Sequence, residues 1–153
     1  MRLLETKIPA PFVAIAIAFA MAQLHHAEPL ALALETLRTA ATDATCQLSG
    51  VFAFFSFAGF LQARTTINPV KPERASVLVT HGIYHFTRNP MYVSLLLLLV
   101  SYAFSLWTWE ALLGPIAYVA YITRFQIIPE ERILEAKFGS EFLAYKRRVR
   151  RWI

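Results

Sequence analysis

The sequence predicts an all-α integral membrane protein with about four transmembrane helices and additional amphipathic helices at the membrane interface. Hydrophobic residues make up 57% of the 153-residue chain and charged residues only 16%, against roughly 45–50% and about 25% in soluble domains. A soluble domain of this length has too little interior to bury so much apolar surface. Apolar runs separated by polar segments then give the number of spans.

The charge distribution indicates a membrane partner rather than a nucleic acid. The formal net charge is +5, and basic residues concentrate in the connector before Pro90 and in the tail at residues 146–151. Because these segments adjoin apolar spans, membrane lipids are the expected partners. The single cysteine, Cys46, rules out an internal disulfide and a cysteine metal cluster, so no metal site is expected. The sequence defines no oligomeric state.

The chain is interpreted as one domain, residues 1–153, in two parts. Residues 8–63 form the first two spans, at 8–24 and 45–63. Residues 25–44 lie between them as a short amphipathic helix at the interface, because Leu30, Leu34 and Leu37 recur at helical spacing. A cleaved signal peptide is the alternative for the first run, but the flanking Pro9 and Pro11 favour a retained helix.

The second part, residues 64–153, comprises a connector, the last two spans and a C-terminal helix. The spans at 91–107 and 111–125 are separated by three residues and therefore form an antiparallel hairpin. Pro129 is expected to end the fourth span and to begin one last amphipathic helix. Its apolar face is expected to carry four residues at three- and four-residue spacing: Leu134, Phe138, Phe142 and Tyr145.

Loop charges predict the orientation. The N-terminus, the connector at 64–88 and the C-terminal tail are basic, whereas 25–44 and 108–110 are acidic or nearly uncharged. The positive-inside rule therefore places both termini and the connector in the cytosol. This arrangement requires an even number of crossings, which four spans satisfy.

Two polar segments border the last two spans. The segment at 80–92 leads into the third span, and its Asn89-Pro90 pair has the residue preferences of a helix start. Capping does not explain the aromatic and basic side chains around that pair, so capping and ligand binding remain alternatives. These side chains are His81, Tyr84, His85, Arg88 and Tyr92.

The second polar segment is Glu130-Glu131, which follows the fourth span. Carboxylates just after Pro129 would also stabilise a helix N-terminus through the helix dipole, without any ligand. Because the last two spans form a hairpin, Glu130, Arg88 and Arg124 are expected to converge at its cytosolic end. A pocket with a carboxylate and guanidinium groups suits a zwitterionic ligand. The sequence contains no Gly-rich phosphate loop, no Gly-x-Ser-x-Gly elbow and no His-Glu-x-x-His motif.

Four motifs occur in order over residues 76–152: LVTHGIY at 78–84, RNPMY at 88–92, the pair Glu130-Glu131, and FGSEFLAYK at 138–146. In this combination, and with TTINP at 65–69, the sequence resembles the isoprenylcysteine carboxyl methyltransferases and their relatives, the phospholipid methyltransferases. The resemblance implies a single membrane methyltransferase domain in a bacterial inner membrane. It also implies methyl transfer from S-adenosylmethionine to a lipidic acceptor, such as an isoprenylcysteine-like carboxylate or a lipid amine, at the cytosolic interface.

The resemblance also implies the site residues. The cofactor would be enclosed by Val77, Leu78, Val79, His81, Gly82, Tyr84, Arg88, Asn89, Pro90, Met91, Tyr92 and Glu130. Catalytic roles are predicted for Arg88, Arg124, Glu130 and Glu131. Glu130 suits the positive groups of the donor and Arg88 suits its carboxylate. Transfer is expected to be in line, relying on alignment and the exclusion of water.

Two positions depart from the family pattern. Asn89 stands where many carboxyl methyltransferases have His, and Gln126 stands where the eukaryotic enzymes have an Arg for the substrate carboxylate. Arg124 is the candidate replacement for that Arg. Two other classes are alternatives that the sequence favours less: a sterol-reductase-like membrane oxidoreductase using a nicotinamide dinucleotide, and a non-enzymatic membrane scaffold held by the basic tail.

Overall fold

The computed structural model describes residues 5–23, 32–62 and 77–153, and within these ranges the chain is helical and contains no strand. The predicted all-α class is confirmed. The helices are α1 (Ala10–Ala22), α2 (Leu32–Gln62), α3 (Pro90–Leu106), α4 (Leu113–Ile122), α5 (Ile128–Phe138) and α6 (Ser140–Arg148). Most of the predicted connector at 64–79, with the motif at 65–69, lies outside the described residues.

Two helices in the described part of the chain are long and apolar enough to cross a membrane, namely Leu34–Gln62 and the rod Glu110–Phe138. Crossing a bilayer takes roughly 17–25 residues. The first helix, α1, has 13 residues and is shorter than this, while α3 has 17 and reaches the lower limit. The helix found within the predicted span 8–24 is therefore shorter than that span. Four crossings stay a prediction.

The predicted boundary between an interfacial helix and the second span is wrong for the described residues. Helix α2 runs without a break through residues 32–62, and the part of the interfacial segment at 24–31 lies outside the described residues. The threonines in this stretch are compatible with the helix, since their hydroxyls bond carbonyls one turn back: Thr42 to Arg38 at 2.8 Å and Thr45 to Ala41 at 2.7 Å. No Gly or Pro interrupts residues 32–49.

Pro129 lies in the first turn of α5, so the prediction that it begins a helix is confirmed, but the prediction that it ends the last span is wrong. Residues Thr123–Ile127 form a π-helical turn that joins α4 to α5 as one rod. A proline cannot bond the carbonyl four residues earlier, and that carbonyl, of Phe125, instead accepts the backbone N–H of Thr6 at 2.9 Å. The N-terminal segment thus supplies the hydrogen bond that Pro129 cannot make, and the rod continues.

One C-terminal helix was expected, and the structure has two. Gly139 adopts φ 52° and ψ −122° between α5 and α6, a region that residues with a Cβ avoid. The predicted apolar face nevertheless forms. Phe142 and Tyr145 are buried, and Leu134 and Phe138 pack against the same small core, together with Tyr84 of the preceding loop.

The larger core lies between α1, α3 and α4, and α2 packs along α3. Residues at the start of the described chain contact the α4–α5 junction, and the backbone N–H of Arg88 bonds the carbonyl of Arg150 at 3.0 Å. The N-terminal segment, the loop before α3 and the C-terminal residues therefore meet at one end of the bundle. This end carries the predicted site residues.

We expect Gly114→Ala to destabilise the bundle. A Cβ at residue 114 would lie 2.2 Å from Sδ and 2.7 Å from Cγ of Met21, and Met21 is only 2% exposed. Overpacking of this kind costs about 1–3 kcal/mol. Gly50→Ala is the matched control, because a Cβ there meets nothing within 4 Å. Thermal unfolding in detergent checks both variants, and equal midpoints would contradict the close approach of α1 and α4.

Candidate active site

The loop before α3 contributes a buried tyrosine. A 3₁₀ turn, Gly82–His85, begins at Gly82 with φ 63°, which suits a residue without a Cβ. The turn places the Tyr84 ring edge-on to Phe60, with centroids 5.6 Å apart. The Tyr84 hydroxyl has no hydrogen-bond partner among the described residues, while the Tyr145 hydroxyl donates to the Tyr84 carbonyl at 2.7 Å.

Both of these tyrosines are neutral hydrogen-bond donors. Burial raises the pKa of Tyr84 well above its ordinary value, and the nearby Tyr145 raises it further. Burial likewise raises the pKa of Tyr145, with Arg88 opposing that shift. Neither phenol ionises at physiological pH, so Tyr84 offers an unpaired O–H group rather than a charge.

Glu131 is the centre of an ion network. Nη2 of Arg88 donates to its Oε1 at 2.7 Å, and Arg151 binds both oxygens, through Nε at 3.0 Å and Nη2 at 2.8 Å. Nη1 of Arg88 also donates to the carbonyls of Lys146 and Val149. The hydrogen bonds to Glu131 raise the pKa of Arg151. Arg88 and Glu131 thus hydrogen-bond to each other and to residues of the C-terminal part of the chain.

The C-terminal segment at residues 149–152 covers the start of α3. Asn89 is the N-cap residue of α3, but its side chain does not cap the helix. Its Nδ2 donates instead to the Arg151 carbonyl at 2.8 Å, and the Thr87 hydroxyl donates to the same carbonyl at 3.3 Å. The capping explanation for Asn89 is therefore wrong, and this side chain holds the C-terminal segment in place.

Tyr92 and Glu130, both predicted to enclose the cofactor, form a hydrogen-bonded pair. The Tyr92 hydroxyl donates to Oε1 of Glu130 at 2.5 Å, and the Tyr92 side chain is 7% exposed. In the described part of the chain Glu131 pairs with two arginines, whereas the hydrogen-bond partner of Glu130 is this phenol. The entrance of α3 and the acidic pair are therefore in contact.

Two other predicted residues have different partners. Arg124 was expected to converge with Glu130, but its Nη1 lies 3.5 Å from Glu5 and its side chain is 44% exposed. Gln126 is 2% exposed, and its Nε2 donates to the Ile8 carbonyl. Both side chains fix the N-terminal segment to the α4–α5 junction.

The remaining predicted cofactor contacts differ in accessibility. Val79 and Pro90 are buried, Leu78 is half-buried, and four are exposed. The exposed residues are Val77, His81, Gly82 and Met91. They lie on the loop around the buried Tyr84 or on the first turn of α3.

A lateral cavity of about 560 Å³ begins one helical turn from Tyr92. It lies between α1 and α3, with Thr42 of α2 at its edge. On α3 it extends from Leu95 to Ser105, roughly 15 Å along the helix axis. Its lining is almost entirely apolar. The lining residues are Pro11, Ala14, Ile15, Ala18, Thr42, Leu95, Leu98, Leu99, Ser101, Tyr102 and Ser105.

Three residues of this region are not among the site residues predicted from the sequence. Glu5 pairs with Arg124, Arg151 binds Glu131, and Tyr118 lies buried beside Tyr92 in the larger core. No local sequence pattern indicates the ion pairs of Glu5 and Arg151, because their partners are far away in sequence. Tyr118 did carry one: a phenol in the middle of an apolar run needs a partner in a low-dielectric interior.

The bundle has two helices long and apolar enough to cross a membrane. The buried Tyr92 and the half-buried Glu130 form a phenol–carboxyl pair, about one helical turn from a largely apolar cavity. Comparison with family models defines the class. Residues 37–141, more than half of the chain, match the phospholipid methyltransferase model. The chain belongs to the phospholipid methyltransferase family, which confirms the resemblance and indicates a membrane methyltransferase.

A curated relative covers a shorter stretch. The chain is 49% identical over 65 residues to an uncharacterized protein of Haemophilus influenzae (strain ATCC 51907 / DSM 11121 / KW20 / Rd). The match covers 41% of this chain and the whole of that protein. No solved structure matches the chain significantly.

Proposed function

We propose that the protein transfers a methyl group from S-adenosylmethionine to a lipidic acceptor at the Tyr92–Glu130 end of the bundle. The observation that carries the proposal is the hydrogen bond between Tyr92 and Glu130, which joins two of the motifs shared with the family. We place the site at the cytosolic face of a bacterial inner membrane, because the basic terminal segments meet at this end.

The residues present fit a donor that carries positive charge. When bound, S-adenosylmethionine supplies a methyl group on a sulfonium, together with an ammonium and a carboxylate. Glu130 offers a carboxylate that is paired with a phenol rather than with an arginine. Tyr84 offers a buried hydroxyl without a partner in the described chain. An aromatic face such as that of Tyr92 also attracts a cation.

The charge balance favours a lipid amine over a carboxylate as the acceptor. Arg88 and Arg151 pair with Glu131, and Arg124 pairs with Glu5. A carboxylate acceptor would lie beside Glu130 and would have to compete with these carboxylates for a cation. An ammonium group, in contrast, is attracted by Glu130.

Glu130 is also the candidate base. An ammonium must lose a proton before its nitrogen can attack a methyl group, and the carboxyl oxygen of Glu130 is placed to accept it. Glu131 is less suited to this role, because both of its oxygens accept hydrogen bonds from arginines. The buried Tyr92 ring excludes water from one side of Glu130.

The lateral cavity supports a lipidic acceptor. It is apolar, its lining includes the exposed side chains of Ile15 and Leu98, and it begins one turn from Tyr92. A volume of about 560 Å³ is within the usual range of small-ligand sites, roughly 300–1,000 Å³. An acyl chain lying in this cavity would bring its head group toward Glu130.

Calorimetric titration of the detergent-purified protein with S-adenosylhomocysteine tests the proposal. We expect saturable heat with one site per chain and no heat with a nicotinamide dinucleotide. Transfer of a labelled methyl group to phosphatidylethanolamine in mixed micelles then tests the acceptor. Binding of the dinucleotide, or the absence of any adenosyl binding, would contradict the proposed function.

A further inference from the structure

The side chain of Tyr118 is the largest fully buried group of the described chain, and its role is not explained by packing. It lies on α4 with 0% exposure and belongs to the same core as Tyr92, Ile122 and Ile127. Its hydroxyl has no hydrogen-bond partner among the described residues. A phenylalanine would fill the same space without burying an unpaired O–H group.

The surroundings of this hydroxyl point to a ligand. A buried polar group without a partner costs stability, so native proteins retain few of them, and these require an explanation. Tyr118 belongs to the same buried core as Tyr92, whose hydroxyl bonds Glu130. The hydroxyl of Tyr118 forms no hydrogen bond with either of them.

The position of Tyr118 separates it from the predicted cofactor contacts. Those contacts come from the loop before α3, the first turn of α3 and Glu130. Tyr118 comes from α4, within the bundle, and belongs to the same core as Ala14 and Leu99, which line the lateral cavity. Its O–H group would meet the acceptor's head group rather than the nucleoside.

We propose that the Tyr118 hydroxyl binds the methyl acceptor by donating a hydrogen bond to a polar atom of its head group, close to the nitrogen held by Glu130. This assignment rests on the proposed function and names a contact to the substrate that the family motifs do not contain. The unpaired hydroxyl is then a stability cost that bound acceptor removes.

Tyr118→Phe tests the assignment through two readouts that move in opposite directions. Without ligand, we expect the thermal midpoint in detergent to stay equal or to rise, because an unpaired buried hydroxyl has been removed. The stabilisation produced by a short-chain phosphatidylethanolamine is expected to shrink, with an affinity about tenfold weaker. Binding of S-adenosylhomocysteine should change less than twofold.

Tyr121→Phe is the matched control, because this tyrosine lies on the same helix and packs against Phe125 with ring centroids 4.8 Å apart. It should change neither readout. A lower midpoint for Tyr118→Phe without ligand would show that the hydroxyl has a structural partner, and would overturn the assignment. Unchanged stabilisation by the lipid amine, or none in the wild-type protein, would overturn it too. If adenosyl binding persists in either case, the methyltransferase proposal stands.

Discussion

Glu131→Ala is expected to lower the free energy of unfolding by about 3–5 kcal/mol, the usual cost of removing one partner from a buried ion pair. The side chains of Arg88 and Glu131 are only 8% and 9% exposed. The substitution leaves the Arg88 guanidinium buried without its carboxylate and releases both hydrogen bonds from Arg151. Thermal or denaturant unfolding of the detergent-solubilised protein measures the loss.

Two variants calibrate this prediction. Glu135→Ala removes an exposed pair, since Lys146 and Glu135 are 37% and 44% exposed, and should cost no more than about 1 kcal/mol. Arg88→Met leaves Glu131 with its two bonds from Arg151 and fills the space with an apolar chain, so we expect an intermediate loss. Equal stability of Glu131→Ala and Glu135→Ala would show that the network is not buried in solution.

The same network explains how much of the site was predictable. Asn89-Pro90 and the apolar run after it predicted α3 to within one residue at each end, because a helix start depends on local chemistry. The proximity of the α3 entrance to the acidic pair followed from hairpin topology. The contact of residues 149–152 with Asn89 and Thr87 could not be predicted from the sequence, because a backbone carbonyl that accepts hydrogen bonds has no sequence signature.

The errors in helix boundaries have a common physical cause. Pro129 and the polar stretch at the start of α2 would each interrupt an isolated helix, and the sequence interpretation treated them so. In the fold, Thr6 bonds the carbonyl freed by Pro129, and Arg38 bonds the Ser105 carbonyl at 3.0 Å. Tertiary contacts thus satisfy groups that local rules leave unpaired, and they cannot be inferred from local patterns.

Glu130→Gln is expected to weaken binding of S-adenosylmethionine roughly ten- to hundredfold, corresponding to about 1.5–3 kcal/mol for a hydrogen bond to a charged group. The amide oxygen can still accept the hydrogen bond from Tyr92, so the fold is retained and the thermal midpoint should change little. Methyl transfer to a lipid amine should fall further than binding, because the proton acceptor is also lost.

Comparison of the methylated and demethylated cofactor locates the charge that Glu130 recognises. S-adenosylmethionine carries a sulfonium and an ammonium, whereas S-adenosylhomocysteine keeps only the ammonium. If Glu130 faces the sulfonium, Glu130→Gln weakens the first ligand more than the second; if it faces the ammonium, both weaken equally. Tyr92→Phe is the control that keeps the carboxylate and removes its phenol partner, and we expect less than a tenfold loss. Normal affinity of Glu130→Gln for both ligands would show that the cofactor does not bind beside Glu130. It would therefore contradict methyl transfer at the Tyr92–Glu130 pair.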